Sequence, residues 1–83
     1  MKLLYFAWLR TKIGTAEENV DPPGNIATVA ELIAWLQARG ANYHDALKNP
    51  KLVRVAVNRE YVGAEHRIKP GDEVAFFPPV TGG

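Results

Sequence analysis

Apolar residues recur with a period of two in several stretches of this chain and with a helical period in one. Leu3-Leu4-Tyr5-Phe6-Ala7-Trp8 is an apolar run that predicts a first strand. Arg10 to Gly14 then reads as a turn punctuated by glycine. Glu17 to Val20 is a polar second strand, hairpin-paired with the first, and Asp21-Pro22-Pro23-Gly24-Asn25 is a loop. Thr28-Val29-Ala30-Glu31 has the form of a capping box, in which the Thr28 hydroxyl and the Glu31 carboxylate serve free amides at a helix start. Val29, Leu32, Ile33 and Leu36 follow with i, i+3, i+4, i+7 spacing, so one stripe of that helix faces a core. Trp35 flanks the stripe, and Gly40 stands after Arg39 where a C′ glycine belongs. Asn42 to Leu47 reads either as a short second helix or as an irregular link. Val53, Val55 and Val57 alternate with Arg54 and Ala56 as a half-buried strand. Asn58-Arg59 turns the chain, and Glu60 to Val62 can pair back as a short strand. Pro70-Gly71-Asp72 is a further turn. Glu73-Val74-Ala75-Phe76-Phe77 is the last strand, ended by Pro78 because proline cannot donate to a ladder.

The order is strand, strand, helix, then two or three strands. It predicts an α+β domain of two layers, a mixed sheet packed on one main helix. With the first and last strands side by side at the centre, the arrangement is a β-grasp. Residues 1–77 form the domain and residues 78–83 a flexible, extended tail. One helix covers only one face of the sheet, so the other should be polar. The first and last strands disobey. If Leu3, Tyr5 and Ala7 point inward, then Leu4, Phe6 and Trp8 point outward; if Val74 and Phe76 point inward, Ala75 and Phe77 do not. Tyr61 falls near the same side. The expected result is an apolar patch beside the tail, of a kind monomers rarely keep unless something binds it.

Composition narrows the chemistry. The chain has 83 residues, 47% apolar and 23% charged, as expected for one folded domain rather than a disordered segment. The formal net charge is +1 with scattered Lys and Arg, so there is no basic stripe for nucleic acid and no polybasic membrane patch. Leu3 to Leu9 is too short for a membrane span and lacks a cleavage site, and the protein is expected in the cytosol. There is no cysteine, which removes disulfides, zinc–thiolate sites and a cysteine nucleophile. There is no serine nucleophile and no Gly-rich phosphate loop. His44 and His66 lack metal-ligand spacing and read as surface or loop residues. No metal and no bound cofactor are expected. The chain is badly equipped as a stand-alone enzyme, and its one unusual group is its own terminal carboxylate.

That carboxylate follows Phe76-Phe77-Pro78-Pro79-Val80-Thr81-Gly82-Gly83. A Gly-Gly end arises by chance in roughly 0.5% of chains, the square of the average glycine frequency. Lacking a Cβ, it can thread a channel too narrow for a side chain. Pro78-Pro79 favours an extended exit, and residues 78–83 reach at most about 20 Å.

A β-grasp domain with an apolar open face and this ending resembles the ubiquitin-like sulfur carriers, and among them the small subunits of molybdopterin synthase. The residues that carry the resemblance are Gly71 and Asp72 to Gly83. Phe6-Ala7, Arg10, Gly14 and Val55-Ala56-Val57-Asn58 support it, and it runs over essentially the whole chain. The resemblance implies that an adenylyltransferase similar to the ubiquitin-activating enzymes uses ATP to adenylate the Gly83 carboxylate. A persulfide donor then replaces AMP with sulfur, leaving a thiocarboxylate. Pro79, Val80, Thr81 and Gly82 enter the active site of the large synthase subunit, in a heterotetramer of two small and two large subunits. Two such carriers supply the sulfur that turns cyclic pyranopterin monophosphate into the molybdopterin dithiolene. Phe6, Tyr61 and Phe77 match hydrophobic docking positions and Arg10 a basic contact beside them. Three other readings stay open: a sulfur carrier for thiazole or tRNA thiolation, a ubiquitin-like modifier joined to lysine, and an interaction domain with an inert tail.

Overall fold

A computed structural model describes residues 1–79. Strands β1 (Lys2–Tyr5), β2 (Glu17–Asn19), β3 (Arg54–Val57), β4 (Glu60–Val62) and β5 (Glu73–Phe77) form one sheet in the order β2-β1-β5-β3-β4. β1 and β5 are parallel neighbours at its centre, and the other pairings are antiparallel. This is the β-grasp arrangement, with a mixed sheet in an α+β domain. Helices α1 (Trp8–Ile13), α2 (Val29–Gln37) and α3 (Ala41–Leu47) supply the second layer, and a 3-10 turn, Pro50–Leu52, leads into β3.

The core lies between the layers. Leu3, Tyr5, Val55, Val57, Val74 and Phe76 point from the sheet into it. Val29, Leu32 and Leu36 meet them from α2, Leu9 and Ile13 from α1, and Ala46 and Leu47 from α3. The Tyr5 and Phe76 rings stack across the parallel pair with centroids 5.7 Å apart. A domain this small buries little surface, so packing all three helices against one face concentrates what it has.

The start of α2 is fully served. The Thr28 hydroxyl accepts from the Glu31 amide at 3.2 Å, and Glu31 Oε1 accepts from the amides of Ala27 and Thr28 at 2.9 and 3.0 Å. The Val29 and Ala30 amides donate to the carbonyls of His66 and Ala64. The predicted capping box is present, and the segment after β4 completes it.

Five expectations need correction. The first strand does not run to Trp8: it ends at Tyr5, and Trp8–Ile13 is helical where a turn was expected. The reason lies at Ala7, whose φ of 55° turns the chain away from the sheet. Ala7 is therefore exposed rather than inward, and Trp8 packs partly against the core rather than facing outward. Gly40 does not cap α2: it is extended, with φ 169°, and precedes α3. Of the two readings for residues 42–47, the structure has the helix.

Candidate functional site

The side chains on the open face follow from register. Leu4 lies beside Ala75, Ala75 beside Ala56, and Ala56 beside Tyr61, so this row points away from the helices. The next row toward the end of the sheet holds Phe77 opposite Arg54. Phe6 stands one step beyond the Tyr5–Phe76 pair, its amide donating to the Phe76 carbonyl at 3.0 Å. Phe6 is 48% exposed and Tyr61 76%. Phe77 is half-buried, its ring tilted against that of Tyr61 with centroids 5.4 Å apart. The expected apolar surface therefore exists, and three of the sequence-predicted positions, Phe6, Tyr61 and Phe77, lie along one end of it.

That end is also where β5 runs on into Pro78 and Pro79, both half-buried. Val80, Thr81, Gly82 and Gly83 lie outside the described residues. Arg10 is exposed on α1, one helical turn beyond Phe6 in the chain. Neither Arg10 nor Arg54 takes part in an ion pair among the described residues. At the end of the sheet that leads to the tail, the aromatic faces thus stand beside Arg54, which has no ion-pair partner among the described residues.

A groove of about 650 Å³ adjoins this surface, between α2 and the β3–β4 hairpin. Tyr61, Phe77 and Arg54 line it together with Val29, Ile33 and Val62. The sequence reading missed it, because it forms between elements distant in the chain. Leu52, 48% exposed just before β3, is a further uncovered apolar side chain it did not single out. A second cavity of about 600 Å³, more polar, sits at the other end of the sheet by the Asn58 turn, where Asn58 donates to the buried Asp72.

A polar cluster fixes the opposite edge. Glu18 faces inward in register with Leu3, and its carboxylate accepts from the hydroxyls of Tyr5 at 2.8 Å and Tyr43 at 2.9 Å. Arg39 donates to the same carboxylate at 3.0 Å, with its guanidinium 5.1 Å from the ring centroids of both Trp35 and Tyr43. Burial, and then the Glu18 carboxylate, push the Tyr5 phenol far above its ordinary value; Tyr43 is raised for the same reasons. The signal was available in sequence: a carboxylate at the inward position of a short strand needs donors.

Among the described residues no group of three or more His, Cys, Asp or Glu side chains is placed to hold a metal. His44 and His66 are both exposed. No helix among them is long and apolar enough to cross a membrane.

The model of the ThiS family matches residues 3–83. The molybdopterin synthase sulfur carrier subunit of Escherichia coli (strain K12) is 41% identical over 83 residues, covering 100% of this chain and 99% of the relative. A solved chain from Pyrococcus furiosus, described as subunit 1 of a molybdopterin converting factor, is 34% identical with a TM-score of 0.78, covering 95% of each chain. The small archaeal modifier protein 1 of H. volcanii is 29% identical with a TM-score of 0.75, covering 96% of this chain and 97% of that one.

Proposed function

The chain belongs to the ThiS family, together with the molybdopterin synthase sulfur carrier subunits, and on that premise we propose that it carries sulfur on its C-terminal Gly83. The observation that carries the reading is the exposed aromatic surface of Phe6, Tyr61 and Phe77 at the end of the sheet that leads to the tail. A partner seated there receives the chain end directly, since residues 78–83 span at most about 20 Å.

The chemistry follows from the groups the chain has and those it lacks. A carboxylate is a poor electrophile until it is a mixed anhydride with AMP, so an adenylating partner resembling the ubiquitin-activating enzymes consumes ATP to activate Gly83. A persulfide donor attacks the acyl-adenylate and expels AMP, and a thiol then cleaves the resulting acyl disulfide, forming a disulfide with the donor's remaining sulfur and releasing the thiocarboxylate. The resulting thiocarboxylate is ionised near neutral pH and is a soft nucleophile, so the carrier itself needs no cysteine, metal, bound cofactor or base. The main-chain terminus holds the sulfur, and the catalytic groups belong to the partners. In this reading the protein is the non-catalytic small subunit of molybdopterin synthase in the cytoplasm, two carriers joining two large subunits. Pro79, Val80, Thr81 and Gly82 enter the large subunit's active site with Gly83, bringing its sulfur to cyclic pyranopterin monophosphate. Arg10 adds a positive contact beside the aromatic patch.

The test is the intact mass of the protein after incubation with ATP, the activating enzyme and the sulfur donor. Replacement of one oxygen by one sulfur at Gly83, followed by molybdopterin formation with purified large subunit and precursor, is the expected result. A second reading has a specific observation behind it, the likeness to small archaeal modifier protein 1. An adduct with the mass of a second protein, joined through lysine, would identify a modifier. A loaded thiocarboxylate that the large subunit cannot use would point to a different sulfur acceptor.

A further inference from the structure

Resting on the docking reading above, we propose that the large subunit also reaches round the sheet, seating an aliphatic side chain in the α2/β3–β4 groove and a carboxylate against Arg54. The groove has room for such a side chain at about 650 Å³. Its floor is apolar, with Val29 and Val55 buried beneath it, and Ile33, Val53 and Val62 form partly buried walls.

Continuity identifies the occupant. Tyr61 and Phe77 line the mouth of the groove and also stand on the open face of the sheet. A protein that covers those two rings already lies at the groove's entrance. Charge agrees with this. Arg54 sits opposite Phe77 at the same mouth, is exposed, and has no ion-pair partner among the described residues. Docking would withdraw its guanidinium from water beside two aromatic rings, which favours a carboxylate on the partner that can accept its paired donors.

The groove is also ready-made. Its rim at Ala64 is held because the Ala64 carbonyl accepts from the Ala30 amide at 2.9 Å, and Val29 is held by the His66 carbonyl at 3.0 Å. Binding therefore spends little on ordering the carrier's backbone there.

The experiment compares four variants with wild type, by calorimetric affinity for the purified large subunit and by thermal unfolding. Ala64→Trp fills the groove from an exposed rim position. Gly63→Leu fills it from the neighbouring position, where an added Cβ meets nothing within 4 Å. Arg54→Glu reverses the charge, and Phe77→Ala probes the open-face patch alone. Both groove-filling variants and Arg54→Glu should unfold as wild type does and bind about tenfold more weakly or worse. The Arg54→Glu deficit should shrink as salt is raised. Wild-type affinity in all three, with Phe77→Ala weakened, overturns the groove proposal and leaves the docking reading standing. Wild-type affinity in Phe77→Ala as well removes the docking reading itself. Nuclear magnetic resonance of the isolated carrier names rival occupants: groove signals that shift with protein concentration mean a second copy, and signals that shift on removal of residues 80–83 mean the chain's own end. Either result overturns the proposal.

Discussion

At the scale of single residues, Phe77 is where the proposed docking and the folding of the domain can be told apart. Its neighbour Phe76 is fully buried and stacks on Tyr5, whereas Phe77 is half-buried and meets Tyr61 on the uncovered face. Phe77→Ala is therefore expected to weaken binding to the large subunit by about 2 kcal/mol or more, as for a central aromatic at an interface. Phe76→Ala should instead lose about 3–5 kcal/mol of stability, as for a core phenylalanine. Calorimetric affinity and chemical denaturation of both variants check the pair; if Phe77→Ala unfolds like Phe76→Ala, its assignment to the open face is wrong. Glu18 acts on folding, through Tyr5, Tyr43 and Arg39. Replacing it with alanine strips the Tyr5 hydroxyl of its acceptor in a buried setting, which should cost about 1–3 kcal/mol. Burial of the Tyr5 phenol, and then the Glu18 carboxylate beside it, give the protein an alkaline limit. Because the folded-state pKa of Tyr5 is raised above its ordinary 10.0, the stabilisation is complete below that pH and is lost as pH rises beyond it, where the unfolded chain ionises first. Unfolding midpoints should fall above pH 10.0, and Tyr5→Phe should flatten that fall.

At the scale of elements, what was legible in the sequence was what depends on near neighbours. The capping box and the i, i+3, i+4, i+7 stripe identified α2, and period-two alternation identified β3 and β5. Thr28→Ala should cost about 1 kcal/mol, the usual effect of losing an N-cap. Bonds from the amides of Ala27 and then the Thr28 hydroxyl and amide hold the Glu31 carboxyl below its ordinary range. Its contribution is therefore present above that range and is lost as pH falls through the lowered value, so Glu31→Gln should blunt the acid side of a stability profile. The boundary between β1 and α1 was not legible, because no residue type announces it. An unbroken apolar run crosses it, and the break is made by a non-glycine residue at positive φ. Residues held in such conformations store about 1–3 kcal/mol, so Ala7→Gly should raise the unfolding midpoint despite glycine's greater chain entropy. A lower midpoint would mean that Ala7 is unstrained. The open-face aromatics were legible by the same alternation, since Phe77 and Tyr61 need only their own strands to set their direction. The groove was not, because its walls come from residues 29–33 and 53–64, which only the tertiary fold brings together.

At the scale of the whole molecule, the proposed function assigns docking to the body and sulfur to the chain end. The buried core among the described residues has Phe76 as its last member in the chain, so substitutions at residues 82 and 83 replace none of its side chains. That separation allows a clean test of the proposed chemistry. Gly82→Ala keeps the terminal carboxylate but adds a Cβ one residue before the reacting carbon, where a narrow partner channel has little room, and it forbids backbone angles open only to glycine. Deleting Gly83 leaves a glycine at the end but withdraws the carboxylate by up to about 3.5 Å. Displacement of a reacting group by only about 1 Å can cost about a hundredfold in rate, so the deletion should abolish sulfur transfer while Gly82→Ala reduces it. Both variants should unfold at the wild-type midpoint and bind the large subunit through the unchanged surface of Phe6, Tyr61 and Phe77. Activation by ATP and single-turnover molybdopterin formation are scored separately, because the adenylating enzyme and the large subunit present different channels to the same end. If the Gly83 deletion supports wild-type turnover, the terminal carboxylate is not the working group. If Gly82→Ala is adenylated normally but fails to deliver sulfur, the tighter of the two channels is that of the large subunit.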